Sequence, residues 1–154
     1  KINIPKVPKG TVPVKDKNTV RSVQRICNPA KKSSKWVAES YPIWLSSMFS
    51  RIIHAEENGT LIRFKLLGIC LLQLEFIENR SDVNRQLFYI TGGYLTKRTN
   101  RGWLEFRSIL NGSYIITAIH EFVPRLPWFV YRFTQAKGHL YVMKKFEKHL
   151  SKLD

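Results

Sequence analysis

Hydrophobic and polar residues alternate in the last third of the chain, in three segments that short turns separate. The segments are rich in β-branched and aromatic residues, the types that strands favour. They cover residues 86–97, 103–110 and 113–123. Asn111 and Gly112 join the last two, and we expect a hairpin there because both residue types tolerate positive φ angles. The pattern predicts an antiparallel sheet.

Residues 128–153 follow the sheet and repeat apolar side chains at steps of three or four. This spacing predicts a long C-terminal helix with one apolar face. Gln135 and His139 are polar and lie in the middle of that face. A buried polar side chain needs a hydrogen-bond partner or a cavity that holds water or ligand. His139 is therefore a structural histidine or a cavity-facing group, and it has no second metal ligand four residues away.

The first half of the chain carries weaker signals. Residues 19–27 place apolar residues at helical spacing behind a possible cap, which predicts a short helix. Residues 36–54 predict a second helix, with a break or kink at Pro42. Residues 61–67 and 69–79 predict two strands, and the second is apolar on both faces, so we expect it in the interior of the sheet.

Two adjacent glycines, Gly92 and Gly93, interrupt the strand predicted over residues 86–97. Glycine inside a strand marks a bulge, a bend or the close approach of another group. A bend would let the sheet curl around the C-terminal helix. The functional alternative is that the missing side chains leave room for a ligand.

The composition fits one folded domain, since 44% of the 154 residues are hydrophobic and 12% are aromatic. No apolar run reaches the ~18 residues of a membrane span, and the start has no apolar segment of a signal peptide. Cys27 and Cys70 are far apart, which predicts free thiols in a reducing compartment. We expect a cytoplasmic domain over residues 19–154. An extended basic arm or edge strand over residues 1–18 should precede it. We expect no cofactor and no bound metal.

The net charge of +15 is concentrated at the start of the chain. Residues 1–35 contain ten lysines and arginines and one acidic residue, Asp16. Such a surface attracts polyanions, and Lys31, Lys32 and Lys35 are candidate contacts. An anionic membrane surface is the partner that we consider, and binding to it would place the protein peripherally at the membrane. We expect no nucleic-acid partner, because no recognised motif is present. The alternative is that the charge serves solubility alone.

The passage RGWLEFRSILNGSYIITAIHEFVPRLPWFVYRFTQAKGHLYVMKKFEKHL runs strand, turn, strand, proline-containing corner and aromatic-rich helix. This order resembles the START-like, or SRPBCC, superfamily of lipid-transfer START domains, polyketide cyclases and the birch-pollen allergen class. The resemblance covers residues 86–153 and extends to residues 36–85. It implies an α+β helix-grip fold, in which a curved antiparallel sheet wraps around a long C-terminal helix and short helices lie near the N-terminus. The superfamily has no universal catalytic set, so no catalytic residue carries over.

The resemblance implies an apolar cavity under the C-terminal helix, and the first functional expectation is a binding or carrier domain. Its ligand would be a hydrophobic small molecule such as a lipid, a fatty acid or a polyketide-like compound. Apolar walls supply affinity, and a few polar groups orient the ligand. We expect nine residues to line the cavity: Tyr89, Thr91, Phe106, Thr117, Ile119, Tyr131, Gln135, His139 and Val142. The alternative is that these side chains fill a solid core.

Two other functions stay open. A cyclase- or dehydratase-type enzyme in the same cavity would need an acid/base pair, such as His139 with Glu105, Glu121 or Tyr131. No nucleophile, zinc or phosphate-binding motif is present in the sequence, so we favour a protein that is not an enzyme. The third function is binding of an anionic membrane or nucleic-acid surface through the basic N-terminal segment.

Overall fold

The computed structural model describes residues 19–49, 52–97, 102–125 and 135–153. The predicted arm over residues 1–18 lies outside this part of the chain. Two α-helices and seven strands are present in the described residues, with a short 3-10 helix at Glu78–Arg80. In chain order they are β1 Val20–Cys27, α1 Ser34–Met48, β2 Ile53–Asn58, β3 Leu61–Leu66, β4 Ile69–Phe76, β5 Arg85–Gly92, β6 Trp103–Ile109, β7 Tyr114–Phe122 and α2 Gln135–Leu150.

The seven strands form one open antiparallel sheet in the order β1-β7-β6-β5-β4-β3-β2. Strand β4 lies in the interior of the sheet, as its apolar sequence predicts. Helix α1 contacts β2, β5 and β6, and α2 contacts β1 and α1. Both helices pack on the same face, which we call the inner face. The prediction of an α+β fold with an antiparallel sheet and a C-terminal helix is confirmed.

The predicted helix over residues 19–27 is wrong, because this segment forms the edge strand β1. It pairs antiparallel with β7, and Ile26 lies opposite Ile115 in the register. Exposure alternates along the strand, with Arg21, Val23 and Arg25 exposed and their neighbours partly or fully buried. The apolar positions fit a helix and a strand equally well. Pairing with the edge of β7 stabilises the strand through hydrogen bonds between the two segments, whereas a short isolated helix is only marginally stable.

Helix α1 is shorter than predicted at its C-terminal end. Ser33 caps its start by accepting a hydrogen bond from the Trp36 backbone N–H at 3.1 Å. The helix continues through Pro42 without a break and ends at Met48. Ile53 and Ala55 then belong to β2, because they lie opposite Leu66 and Phe64 of the neighbouring strand β3. The segment from residue 53 onward is therefore strand, although its apolar spacing matches a helix.

The three predicted C-terminal strands are present. Strands β6 and β7 match the predicted ranges to within one residue at each end, whereas β5 ends at Gly92, five residues before the predicted end at residue 97. The hairpin between β6 and β7 uses positive φ at Leu110, Asn111 and Gly112. Asn28 holds this turn from outside by donating to the carbonyls of Gly112 at 2.7 Å and Lys32 at 2.8 Å. The start of α1 is thereby fixed beside the turn.

The glycine pair marks a bulge between β4 and β5. The register slips between Gln73 and Leu74, which lie opposite Gly92 and Ile90. Gly93 has φ +115°, and a Cβ placed on it would lie 2.3 Å from the backbone oxygen of Leu71. The space at Gly93 is therefore filled by the backbone of β4, which supports the structural interpretation of this glycine.

The described helices include none that is long and apolar enough to cross a membrane. Cys27 and Cys70 are free thiols. Among the residues that the structure describes, no group of three or more His, Cys, Asp or Glu side chains could hold a metal ion.

Candidate functional site

An apolar cavity of about 160 Å³ lies between α1, α2 and the inner face of the sheet. Every element around it contributes through its core-facing side chains, and among the residues that the structure describes, Tyr41 and His139 line it with polar side-chain atoms. The lining residues are Tyr41, Leu45, Ile53, Phe64, Leu71, Leu72, Leu74, Leu95, Leu104, Ile119, His139 and Met143. The wall is thus almost entirely aliphatic and aromatic, and it suits an apolar molecule.

His139 reaches the cavity from the first turns of α2. Burial lowers the pKa of its imidazole below the ordinary value of 6.5. The side chain is therefore neutral near pH 7, with one ring nitrogen as a donor and the other as an acceptor. Tyr41 faces it from α1, and burial raises the pKa of the Tyr41 hydroxyl. The pair can offer hydrogen bonds to a carbonyl or hydroxyl without placing a charge in the cavity.

The free energy of unfolding should fall as the pH is lowered from about 7.5 to about 5.5. Unfolded His139 takes up a proton near pH 6.5, whereas burial holds the folded-state pKa lower. Between the two values the unfolded state binds more protons, so acid favours unfolding by up to about 1.4 kcal/mol per pH unit for one such group. The contribution of His139 to stability is therefore fully present above about pH 6.5, and it is lost as the pH falls toward the lower folded-state pKa.

Urea titrations across this pH range measure the effect, and His139→Leu should make the pH dependence shallower. Burial lowers the pKa of His120, the Glu105 carboxylate opposes this, and nearby arginines lower it further, so His120 contributes with the same sign. A His120→Gln variant separates the two contributions. An unchanged slope in His139→Leu would show that His139 titrates alike in both states.

Two of the nine predicted cavity residues, Ile119 and His139, line this cavity. Phe106 is buried in the neighbouring core, and Val142 packs against that core. Thr117 is buried on the inner face with a hydroxyl oxygen that has no hydrogen-bond partner in the described part of the chain. These three residues fill or flank solid core. Tyr131 and the side chain of Gln135 lie outside the described residues.

Tyr89 and Thr91 do not line the cavity, because they lie on the opposite face of the sheet. Tyr89 stands opposite Trp103 in the register, whereas Phe88 stands opposite the cavity residue Leu104. The Thr91 hydroxyl accepts a hydrogen bond from Gln73 at 3.0 Å on that outer side. Both faces of β5 carry large side chains, so the alternation alone did not decide which face packs against the helices.

The core beside the cavity is closely packed by aromatic rings. The Phe146 ring centroid lies 5.1 Å from that of Tyr41 and 4.9 Å from that of Trp44. Phe106 and Phe88 continue this cluster on the sheet, with 6.3 Å between their ring centroids. The alternative of a solid core therefore holds for this half of the inner face, and the cavity occupies the other half.

The sequence did not single out several residues that line the cavity. Leu71, Leu72 and Leu95 come from β4 and the segment after β5, and Met143 comes from α2. The signal available for Met143 was its place on the apolar stripe, one turn after His139. Leu71 and Leu95 are brought together by the backbone hydrogen bond from Leu95 N–H to Leu71 O at 3.0 Å, which no local pattern reveals.

An acid/base pair does not form around His139 in the described residues. Glu105 lies on the opposite face of the sheet, where it pairs with Arg85 and Arg107. Glu121 is exposed, in a position with φ +49°. Among the described residues that line the cavity there is no carboxylate. The cavity thus offers a neutral imidazole and a phenol in an apolar wall, a set suited to binding.

The three candidate polyanion contacts lie in and just after the loop between β1 and α1. Lys31 is exposed, and the Lys32 ammonium lies over the Trp36 ring at 5.3 Å from its centroid. The Lys35 ammonium is 3.8 Å from the Glu39 carboxylate. Exposed pairs of this kind contribute little to stability. Two of the three cations therefore already have local partners.

No family model matches the chain, and no solved structure matches it. The chain is 25% identical over 130 residues to the auxiliary protein GraX of Staphylococcus aureus (strain NCTC 8325 / PS 47). The aligned part is 83% of this chain and 42% of that protein, so the chain spans less than half the length of this relative. A likeness at this level of identity leaves the family open, and the relative's name specifies neither a ligand nor a reaction.

Proposed function

We propose that this chain is a binding domain for a small hydrophobic molecule, held in the cavity between α1, α2 and the inner face of the sheet. The observation that carries the proposal is the combination of an aliphatic wall with a neutral His139 imidazole. The antiparallel sheet with its C-terminal helix agrees with a helix-grip fold of START-like type. That resemblance is a second support, and it suggests the same class of ligand.

The volume limits the size of the ligand. Cavities for drug-sized ligands measure about 300–1,000 Å³, whereas this one measures about 160 Å³. An apolar cavity of about 150 Å³ in another protein holds one benzene molecule. We therefore propose a ligand whose buried part is a single ring or a short acyl segment, with its polar end near His139. A longer chain would have to leave the cavity through its opening.

Binding gives a measurable gain in stability. A ligand at about one hundred times its Kd stabilises the folded state by about 2.7 kcal/mol, which corresponds to a rise in Tm of about 5–10 °C for a chain of this size. Thermal unfolding with toluene, indole and hexanol measures this rise. Native mass spectrometry of gently purified protein, compared with the denatured mass, detects any molecule that is carried through purification.

The substitution Ile119→Phe should fill the cavity and weaken binding by about tenfold or more, equivalent to about 1.4 kcal/mol. Ile116→Phe is the matched control, because Ile116 lies on the same strand and points to the opposite face. The control should keep the ligand-induced rise in Tm. Equal losses in both variants, or no rise with any compound and a bare native mass, would contradict the proposed site.

His139→Leu tests the polar anchor separately from the apolar wall. Hexanol and toluene are a useful pair, since the first is uncharged and carries a hydroxyl group that can form a hydrogen bond with the imidazole. We expect the variant to weaken hexanol binding by about tenfold and to leave toluene binding nearly unchanged. Equal effects on the two compounds would show that His139 serves packing alone.

A further inference from the structure

The sheet face opposite the helices, which we call the outer face, is covered by no described helix. Four residues cross it side by side in the register, Arg25, Ile116, Arg107 and Arg85, on β1, β7, β6 and β5. We call them the arginine row. Adjacent strands lie about 4.8 Å apart, so the Cα atoms of the three arginines stand along one line across the sheet. The Arg25 guanidinium leans over the Tyr114 ring, whereas those of Arg85 and Arg107 lean toward Glu105. The three cations concentrate positive charge on a rigid surface.

One buried carboxylate holds two of these arginines in place. Glu105 is 7% exposed, and its Oε2 lies 3.0 Å from Arg85 Nη2 and accepts a hydrogen bond from Arg85 Nε at 3.1 Å. Its Oε1 lies 3.4 Å from Arg107 Nε. A guanidinium has five N–H donors, so most donors of the two arginines are not used by Glu105, and their side chains are 28% and 47% exposed. Glu105 preorganises the pair and leaves it with a net positive charge.

A row of aromatic rings lies two positions beyond Glu105 on the outer face. His120, Trp103 and Tyr89 are neighbours there in the register. Between this row and the arginine row, Ala118 and Leu87 are buried, at 2% and 1% exposure. Trp, Tyr and Arg are the residue types that dominate binding energy in protein interfaces. The outer face thus combines these types over a small buried apolar strip.

The rings on this face already have partners on their flat sides. Trp103 stacks on His120 with ring centroids 5.0 Å apart and planes inclined by 20°. Arg80 lies over the Tyr89 ring at 5.9 Å, and Arg25 over the Tyr114 ring at 4.8 Å. Nucleic-acid platforms need open ring faces on which bases can stack. The geometry therefore favours a partner that offers carboxylates and side-chain contacts over one that offers bases.

We propose that the outer face is a docking surface for an acidic segment of a partner protein. Its carboxylates would bind the arginine row in bidentate geometry, the arrangement that guanidinium groups favour. Its side chains would contact the edges of Trp103 and Tyr89. This proposal is independent of the cavity, because the two sites lie on opposite faces of the sheet.

A fluorescein-labelled peptide of alternating glutamate and serine is the probe, and fluorescence anisotropy measures its binding to the complete chain. The double variant Arg25→Gln with Arg107→Gln should weaken binding by at least about tenfold. The matched control is Lys144→Gln with Lys148→Gln, which removes the same charge from exposed positions of α2. The control should change the affinity by less than about twofold.

Arg25→Gln alone guards against a folding defect, because Arg25 has no ion pair in the described residues and lies on an edge strand. It should weaken binding by about threefold with an unchanged circular dichroism spectrum. Equal losses in the double variant and its control would reduce the interaction to net charge and overturn the proposal. Tighter, row-dependent binding of oligo-dT or of vesicles containing phosphatidylglycerol would overturn it in favour of nucleic acid or membrane.

Discussion

Gly93→Ala should destabilise the chain by about 3 kcal/mol or more. The added Cβ would lie 2.3 Å from the Leu71 carbonyl oxygen and 2.5 Å from the Leu72 Cα, both of which are backbone atoms of β4. Neither can rotate away as a side chain could, so the bulge between β4 and β5 would have to open. The φ of +115° adds strain for any residue with a Cβ. Urea unfolding monitored by circular dichroism measures the loss.

Gly68→Ala is the matched control. Gly68 also has positive φ, at +85°, but a Cβ placed on it meets nothing within 4 Å. It should cost about 1–2 kcal/mol, the penalty of a left-handed conformation alone. The difference between the two variants isolates the contact with β4. Equal costs would mean that the sheet accommodates a side chain at Gly93, and that the bulge does not depend on glycine there.

Phe146→Ala should cost about 3–5 kcal/mol, the range for removing a buried aromatic ring. Phe146 is fully buried, and its ring contacts Tyr41 and Trp44 of α1 and stacks on His149 within α2. Helix α2 packs on α1 and β1, and the Phe146 ring contributes the aromatic contacts with α1. Domains have about 5–15 kcal/mol of stability in total, so the variant should unfold at much lower urea concentrations.

Leu140→Ala provides the comparison on the same helix. Leu140 is 45% exposed, so its truncation should change the free energy of unfolding by less than about 0.5 kcal/mol. A loss of similar size in both variants would indicate that packing of the Phe146 ring contributes no more to stability than an exposed leucine side chain does. A small effect of Phe146→Ala would show that α2 is dispensable for folding.

The strands with strict alternation were the most predictable part of the fold. In β6 and β7 the alternation separates a mainly apolar set of side chains from a set with more polar and charged groups. Leu104, Phe106 and Ile115 belong to the apolar set, and they face the helices. Strand β5 was ambiguous, because Leu87 and Tyr89 alternate with Phe88 and Ile90, and both pairs are apolar or aromatic. Pairing with β6 places Phe88 and Ile90 on the face that packs against the helices, although Leu87 on the other face is also buried.

Local irregularities in the backbone could not be predicted from the hydrophobic periodicity. Glu121 takes φ +49°, which interrupts the alternation near the end of β7 and leaves Phe122 in the core. A single extra residue in a strand reverses the faces of all later positions. Within the candidate site, His139 could be identified because it is a polar residue on an apolar stripe. Leu71 and Leu95 could not, because they resemble any other core leucine.

Residue types and spacing predicted an α+β chain, C-terminal strands that pair through an Asn-Gly turn, and a polar group on the apolar face of the last helix. These features depend on residue types and on spacing within one element. Tertiary contacts were needed to establish that residues 20–27 form a strand, which face of β5 packs against the helices, and where the core leaves a cavity. Each of these depends on hydrogen bonds and contacts between distant segments, whose free energy outweighs the weak local preference of any one of them.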